Sequence, residues 1–433
     1  MIRESVNINV HHVTRVEGHG NIKVRANNGE IEQCELQIVE SPRFFESMLI
    51  GRRWFDVHHI TCRICGICSV GHTTASLCAT EAAFGLTISE QSRLLRELIF
   101  CGEQLQSHLL HVYFLAAPDL LDAGSVIPLA KTHPDVVARA LRLKKFANFV
   151  CEVVGGRHVH PISLWPGGLK HCPTEAQLLE LKRQLAQQVL PDMDATVGLF
   201  AELAPKLPDF ERPTAYMALK DPERYAWFTG ELVTSTGQQV PMDKYLDVME
   251  ERVVRDTTVK HVFHNGESFY VGARARVNTN YDQLHPQAKA AAEKLGYQAP
   301  NHNPFANNVA QVIECVHCAA EALDAVDQLL SMGPKYEEPQ VAVRAGRGVG
   351  IAEVPRGTLV HDYTYDENGN VIDDNLIIPT TMNVENCEQD MRALVPQMID
   401  RSQEEITAAL EILVRAYDPC ISCSVHMLNV EFV

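Results

Sequence analysis

Two short stretches, far apart in the chain, carry the residues best suited to hold a metal. "TCRICGICSVGH" spans Thr61–His72; Cys65 and Cys68 form a CxxC, with Cys62 just upstream and His72 just downstream. "DPCISCSVH" spans Asp418–His426 and brings a second CxxC, Cys420 and Cys423, followed by His426. Four thiolates suffice for one tetrahedral or bridged metal centre. Other readings compete. Zinc ribbons also use two CxxC pairs, but about 15–20 residues apart, whereas Cys65 and Cys420 are 355 residues apart. A zinc staple joining the two ends of the chain stays open on spacing alone. A thioredoxin-like redox pair lacks its βαβ context. Buried, inert thiols are the default for Cys34, Cys78, Cys101, Cys151, Cys172 and Cys387. A further CxxC, Cys315–Cys318, lies inside a helical run and reads as core-facing.

The elements that must position these residues read as one mainly helical body with peripheral strands, an α+β chain without a flexible linker. Residues 1–60 are β-rich, with a "NNGE" turn between two alternating runs. Residues 61–205 are helical: a long helix starting at a Ser cap ("SEQSRLL"), a second ending at Gly155–Gly156, and a third with Pro191 as a break. Residues 206–285 form a small α+β lobe and 286–340 return to helix. Residues 341–433 begin as strands joined by a "DENGN" turn, then run as a single helix over 387–418 into the second CxxC. With 46% hydrophobic residues a large core is available, and the net charge of −17 argues against a nucleic-acid partner. Neither a signal peptide nor an apolar run of about 18 residues is visible, so no membrane span is expected. The thirteen cysteines are therefore expected in a reducing cytoplasm, where paired cysteines serve metals more often than disulfides.

"RICGICSVGH" and "DPCISCSVH" resemble the paired signatures of the large subunit of nickel–iron hydrogenases. "RVEGHG" (Arg15–Gly20), "GGRHVHP" (Gly155–Pro161), "VPRGTL" (Val354–Leu359) and "IPTTMN" (Ile378–Asn383) resemble further motifs of that family, in family order. The likeness covers essentially the whole chain and points to the soluble, cytoplasmic, bidirectional group. It implies the long helical bundle of that subunit over residues 1–433, and reversible cleavage of dihydrogen. Dihydrogen is apolar and a weak acid, so heterolytic splitting needs a Lewis-acidic metal and a nearby base.

The resemblance also implies roles, residue by residue. Cys65 and Cys420 would be terminal nickel ligands; Cys68 and Cys423 would bridge nickel to an iron carrying carbon monoxide and cyanide. Cys420 would accept the first proton and Glu17 relay it. Arg356 would stand over the metals, paired with Asp418. Thr380 and Thr381 would donate to a cyanide, with Pro355 and Leu359 lining the pocket around the iron. His72 would hydrogen-bond a bridging thiolate. Glu46, His426 and the Leu376 carbonyl would hold magnesium. An iron–sulfur small subunit is implied as partner, with further electron-transfer subunits of nicotinamide, deazaflavin or heterodisulfide type, and maturation proteins. One of these would remove Met427–Val433 in relatives that process their tail. Two departures stand out: Ser107 occupies a position where many relatives are acidic, and Cys62 is an extra thiol.

Overall fold

A computed structural model describes residues 5–27, 30–255 and 257–425. The alternating N-terminal runs form an antiparallel sheet of β1 (Ser5–Val10), β2 (Gly20–Asn27) and β3 (Glu30–Ile38). Its buried face carries Ile22, Val24, Cys34 and Leu36. The β2–β3 pairing fits the expected hairpin, although Asn28 and Gly29 of its turn lie outside the described residues.

Helices α1 (Phe45–Leu49) and α2 (Trp54–Thr61) lead through a 3-10 turn, Cys62–Ile64, to the first CxxC. Beyond it, α3 (Ser69–Phe84) is buried on nearly every side. Helix α4 (Glu90–Leu110) starts where Ser89 Oγ accepts the Ser92 N–H, as its sequence predicts. A π-turn, His111–Ala116, joins it to α5 (Ala117–Leu120), followed by α6 (Val126–Thr132) and α7 (Pro134–Gly155). Gly156, with φ 75°, ends α7 in the left-handed conformation that glycine tolerates. A small hairpin, β4 (Leu164–Trp165) and β5 (Gly168–Leu169), precedes α8 (Glu175–Gln184). The break expected at Pro191 is a π-turn, Leu185–Val189, from which α9 (Leu190–Leu203) continues. The wider turn accommodates a ring that has no N–H to give.

Residues 206–285 hold β6 (Ala215–Lys220), β7 (Glu231–Thr234), β8 (Gln239–Val240), β9 (Glu250–Val253), β10 (Lys260–Phe263), β11 (Phe269–Tyr270) and α10 (Ala273–Thr279). Helices α11 (Pro286–Lys294) and α12 (Asn307–Met332) follow. Then come β12 (Gly346–Val354), β13 (Gly357–Tyr365) and β14 (Val371–Ile377), an antiparallel sheet in that order. Met217, Leu219 and Phe269 share one apolar cluster with Ile351, Val360 and Ile377, so the 206–285 region and this sheet bury each other. The central core runs from α3 and α4 to α7 and α12.

One expectation fails. Residues 387–418 are not a single helix. Helix α13 begins earlier, at Pro379 within the stretch read as strand, and ends at Leu394. A 3-10 turn with Pro396 follows, and Ser402 opens α14 (Gln403–Ala416) through a capping box with Glu405. Proline and a competent cap outweigh the continuous apolar period. A last turn, α15 (Ile421–Ser424), carries Cys423.

The contact between α3 and β12 is unusually close. A Cβ added at Gly348 would lie 2.1 Å from Ala79 O, at Gly350 2.1 Å from Ala75 O, and at Gly346 2.7 Å from Ala83 O. At the other end, a Cβ on Gly71 would meet Val354 at 2.2 Å. Alternate residues of a strand share a face, and every fourth residue of a helix does too. The glycines and alanines therefore zip the two elements together, and β12 delivers its end to the start of α3. Gly348→Ala is expected to cost about 3 kcal/mol through overpacking against backbone that cannot yield. Gly198→Ala, inside α9 where a Cβ meets nothing within 4 Å, serves as the unhindered control and is expected to stabilise by up to about 1 kcal/mol. Unfolding midpoints compare the two, and equal midpoints would refute the zipper.

Candidate metal centre

Four segments meet in the interior. Cys65 lies in an extended loop residue and Cys68 caps α3; Cys420 precedes α15 and Cys423 lies in it. Their four Sγ atoms all lie within 4.8 Å of one another, and all four residues are buried. Cys65 Sγ is 3.7 Å from Cys420 Sγ. Cys65 and Cys68 are free thiols, while Cys420 and Cys423 form a disulfide; ligation would require that bridge in its reduced form. The N–H groups of Ile67 and Cys68 point at Cys65 Sγ, at 3.3 and 3.1 Å. Burial pushes the Cys65 thiol up, but the Cys68 thiol, Arg356 and these N–H groups outweigh it and bring it below the ordinary thiol range. Its neighbour Cys68 is driven the other way, by its bond to Cys65 and by burial. Soft, buried thiolates at this spacing fit one or two transition-metal ions.

Arg356 occupies the two-residue turn between β12 and β13, facing this cluster. Its Nε donates to Asp418 O at 2.7 Å, its Nη2 to Asp418 Oδ1 at 2.9 Å and its Nη1 to Ser107 Oγ at 3.4 Å. Burial alone would lower its pKa; Asp418 and the thiols of Cys68 and Cys65 more than offset that, so the guanidinium stays charged. The third contact of the guanidinium is thus a neutral hydroxyl, Ser107 on α4. Gln311 of α12 donates to Asp418 Oδ2 at 3.0 Å and completes the carboxylate's shell.

The N-terminal motif reaches the same place. Glu17 pairs with Cys420 as a parallel bridge: Ile421 N donates to Glu17 O and Ser422 N to Glu17 Oε2, both at 3.0 Å. Gly18 makes the approach possible, since a Cβ there would lie 2.6 Å from Ile421 Cβ. Thr380 Oγ1 accepts the Cys420 N–H at 3.1 Å, whereas Thr381 turns its hydroxyl back onto Ile378 O. The Pro355 carbonyl accepts from Arg276, and Leu359 is fully buried. His72 is buried with Nδ1 3.1 Å from His361 Nε2.

Glu46 accepts the Leu376 N–H at 3.2 Å. With Asp373, Asp374 and Lys260 it lines a cleft of about 350 Å³. Burial, with the neighbouring Glu46, Asp373 and Asp362, pushes Asp374 up to about 8. His426 and Met427–Val433 lie outside the described residues. Cys62 stands apart from the cluster with its Sγ on His59 O, and burial pushes its thiol up to about 11. Cys315 and Cys318 are core residues of α12, with Cys318 against Cys101.

Sequence reasoning missed Glu103. This buried α4 carboxylate accepts the N–H groups of Val70 and Gly71, at 2.6 and 2.8 Å, and so caps the helix that Cys68 begins. No local signal marked it, because its partners lie 33 and 32 residues earlier in the chain.

Architecture and site together define a buried, thiolate-lined metalloenzyme closed between the two ends of its chain. Comparison with known proteins gives the family. Residues 43–138 and 211–426 match the sequence model described as "Nickel-dependent hydrogenase", and residues 7–41 match one described as "HoxL-like". Sulfhydrogenase 1 subunit alpha of Pyrococcus furiosus is 34% identical over 98% of this chain and 98% of its own length. Sulfhydrogenase 2 subunit alpha of the same organism is 34% identical over 96% and 98%. A crystal structure of an NAD+-reducing nickel–iron hydrogenase in the H2-reduced state superposes with a TM-score of 0.89, at 26% identity, covering 97% of this chain and 99% of that one. The chain belongs to the nickel-dependent hydrogenase family, as a catalytic large subunit.

Glu103→Ala would orphan two buried N–H groups beside Cys68 and is expected to cost about 3 kcal/mol. A denaturation midpoint equal to that of the unaltered protein would show the cap to be dispensable.

Proposed function

We propose that this chain splits dihydrogen reversibly into two protons and two electrons, at a centre held by Cys65, Cys68, Cys420 and Cys423. The convergence of these four buried cysteine sulfurs beneath Arg356 carries the reading. Cys65 and Cys420 would hold nickel, and Cys68 and Cys423 would hold both nickel and iron. The nickel–iron group, with carbon monoxide and cyanide on iron, supplies the Lewis acidity that polarises dihydrogen.

The protein's own residues do the rest. Cys420 Sγ takes the proton and Glu17 carries it outward. Arg356, fixed by Asp418 and Ser107, keeps a positive charge facing the reacting volume, which lowers the cost of separating charge in a dry site. Thr380 and Thr381 would donate to a cyanide, and Pro355 and Leu359 would line the pocket around the iron; Thr380 also accepts the Cys420 N–H and so fixes that backbone. His72 tunes a bridging thiolate from the α3 side. Glu46, the Leu376 carbonyl and His426 would hold magnesium, whose charge would offset the carboxylates of the cleft that Glu46 shares with Asp373 and Asp374.

The electrons leave through an iron–sulfur partner subunit. The rim of the first cysteine loop supports this: Arg63 bonds His160 at 3.4 Å, Arg157 lies beside them, and Phe44 is 53% exposed, a basic and apolar margin on an acidic chain. The likeness to an NAD+-reducing enzyme favours a nicotinamide-linked acceptor over the deazaflavin and heterodisulfide types. Maturation proteins install the metals, and the cytoplasm is the setting. No helix among the described residues is long and apolar enough to cross a membrane.

Metal analysis of this subunit, separated from its iron–sulfur partner, is expected to give nickel and iron near equality, with infrared bands of metal-bound carbon monoxide and cyanide; zinc alone would sink the reading. Cys68→Ser is expected to abolish dihydrogen uptake, and surviving activity would remove the bridging assignment.

A further inference from the structure

We propose that Asp119 is a positioning residue of this centre, whose carboxylate, shared by Arg15 and Arg415, sets Glu17 against Cys420. The proposal rests on the reading that Glu17 takes the proton from Cys420.

Asp119 is reached from both ends of the chain. Arg15 Nη2 pairs with its Oδ1, and Arg15 Nη1 donates to Leu115 O at 2.6 Å. From the other side Arg415 donates Nε to Oδ2 at 2.8 Å and Nη2 to Oδ1 at 3.1 Å. Arg415 Nη1 also donates to Thr14 O at 3.2 Å, stitching the two segments directly. The side chains of Arg15, Asp119 and Arg415 are only 16%, 10% and 4% exposed, so solvent and salt screen this triad little. The π-turn His111–Ala116 immediately precedes this cluster and contributes the Leu115 carbonyl. Its His111 Nε2 lies 2.7 Å from Arg415 O and fixes that segment from a third direction.

The positions of the two arginines matter. Arg15 stands two residues before Glu17, and Arg415 a few residues before Asp418 and Cys420. The backbone is strained on both sides of the bridge, with Arg15 at φ 59° and Asp418 at φ 50°. Non-glycine residues hold such angles only where their surroundings over-determine them. The shared carboxylate supplies that constraint at Arg15 directly and at Asp418 through Arg415. Without Asp119 two buried guanidinium groups would face each other across the gap it fills, and the Glu17–Cys420 register would relax. A displaced relay group costs rate without touching the metal ligands.

The test uses the complete holoenzyme complex, measuring nickel and iron content, KM for dihydrogen and turnover with a dye acceptor. Asp119→Ala is expected to keep wild-type metal content and KM, to lose turnover about ten- to a hundredfold, and to add no further loss in a Glu17→Gln background. Asp119→Glu, which keeps the charge, is expected to recover part of the rate. Wild-type turnover in Asp119→Ala overturns the proposal, as does an equal loss with and without the Glu17 change. Wild-type turnover in Glu17→Gln alone removes the reading beneath it, a separate result. If Asp119→Ala fails to load metal, Arg15→Gln, which frees only the Glu17 side, is measured the same way, and its wild-type turnover overturns the proposal.

Discussion

The contact on which the site depends is the backbone-to-backbone approach of α3 to β12. Gly346, Gly348 and Gly350 face Ala83, Ala79 and Ala75 with no room for a side chain on the strand. Close approach at one end of a rigid helix and strand fixes the geometry at the other. There, Gly71 against Val354 brings Cys68, at the start of α3, to the turn that carries Arg356. The first cysteine pair and the arginine belong to segments nearly 300 residues apart, yet their relation is set by small residues that do no chemistry. Glu103 strengthens the same joint by satisfying the N–H groups that the start of α3 leaves open.

Electrostatics sets the second constraint. The interior holds Arg356 with Asp418, and Arg276 between Glu314 and Glu353, all nearly or fully buried. Burying charge is costly unless every group is paired and hydrogen-bonded. Glu314 meets that condition: Arg276, His108 and Tyr225 all bond it, and despite burial its carboxyl lies well below the ordinary range. Arg356 meets it through Asp418 and Ser107, its planar fork using three donors that a lysine could not aim at once. At Cys65 burial pushes the thiol up, but the hydrogen bond from Cys68 and then the fixed charge of Arg356 outweigh it and favour the ionised form.

Much of this was legible from the residues. Both cysteine pairs, the Ser89 cap, the α7 terminus at Gly155–Gly156 and the full extent of α12 follow from local signals of type and period. Glu17, Asp418 and Thr380 fell at the centre because whole motifs, rather than single residues, pointed there. What was not legible depends on partners distant in sequence. Glu103, Gln311 and Asp119 are polar residues in helical runs, and no local pattern separates them from solvent-facing neighbours. The glycines of β12 were visible individually, but their meaning lies in the alanines of a helix about 270 residues earlier. The helix over 387–418 was drawn too long because its apolar period runs on through Pro396, while the break is made by the ring and by the Ser402 cap.

The two cysteine pairs are held in the same core by different means. Cys65, Cys68, Cys420 and Cys423 all belong to the largest core cluster. The Cys420–Cys423 segment is a single turn whose Ile421 packs with Ile38, Val259 and Val384. Hydrogen bonds to separate partners hold it: Glu17 through Ile421 and Ser422, Thr380 through Cys420, and Arg43 through Ser422 O and Val425 O. Closing a loop of this length costs entropy that such bonds repay only once their partners are fixed. The position of the second pair therefore depends on partners from the N-terminal segment and from α13. A metal bound by all four cysteines would tie both pairs to that frame and add its binding free energy to the stability of the folded chain, because the unfolded chain has no such site.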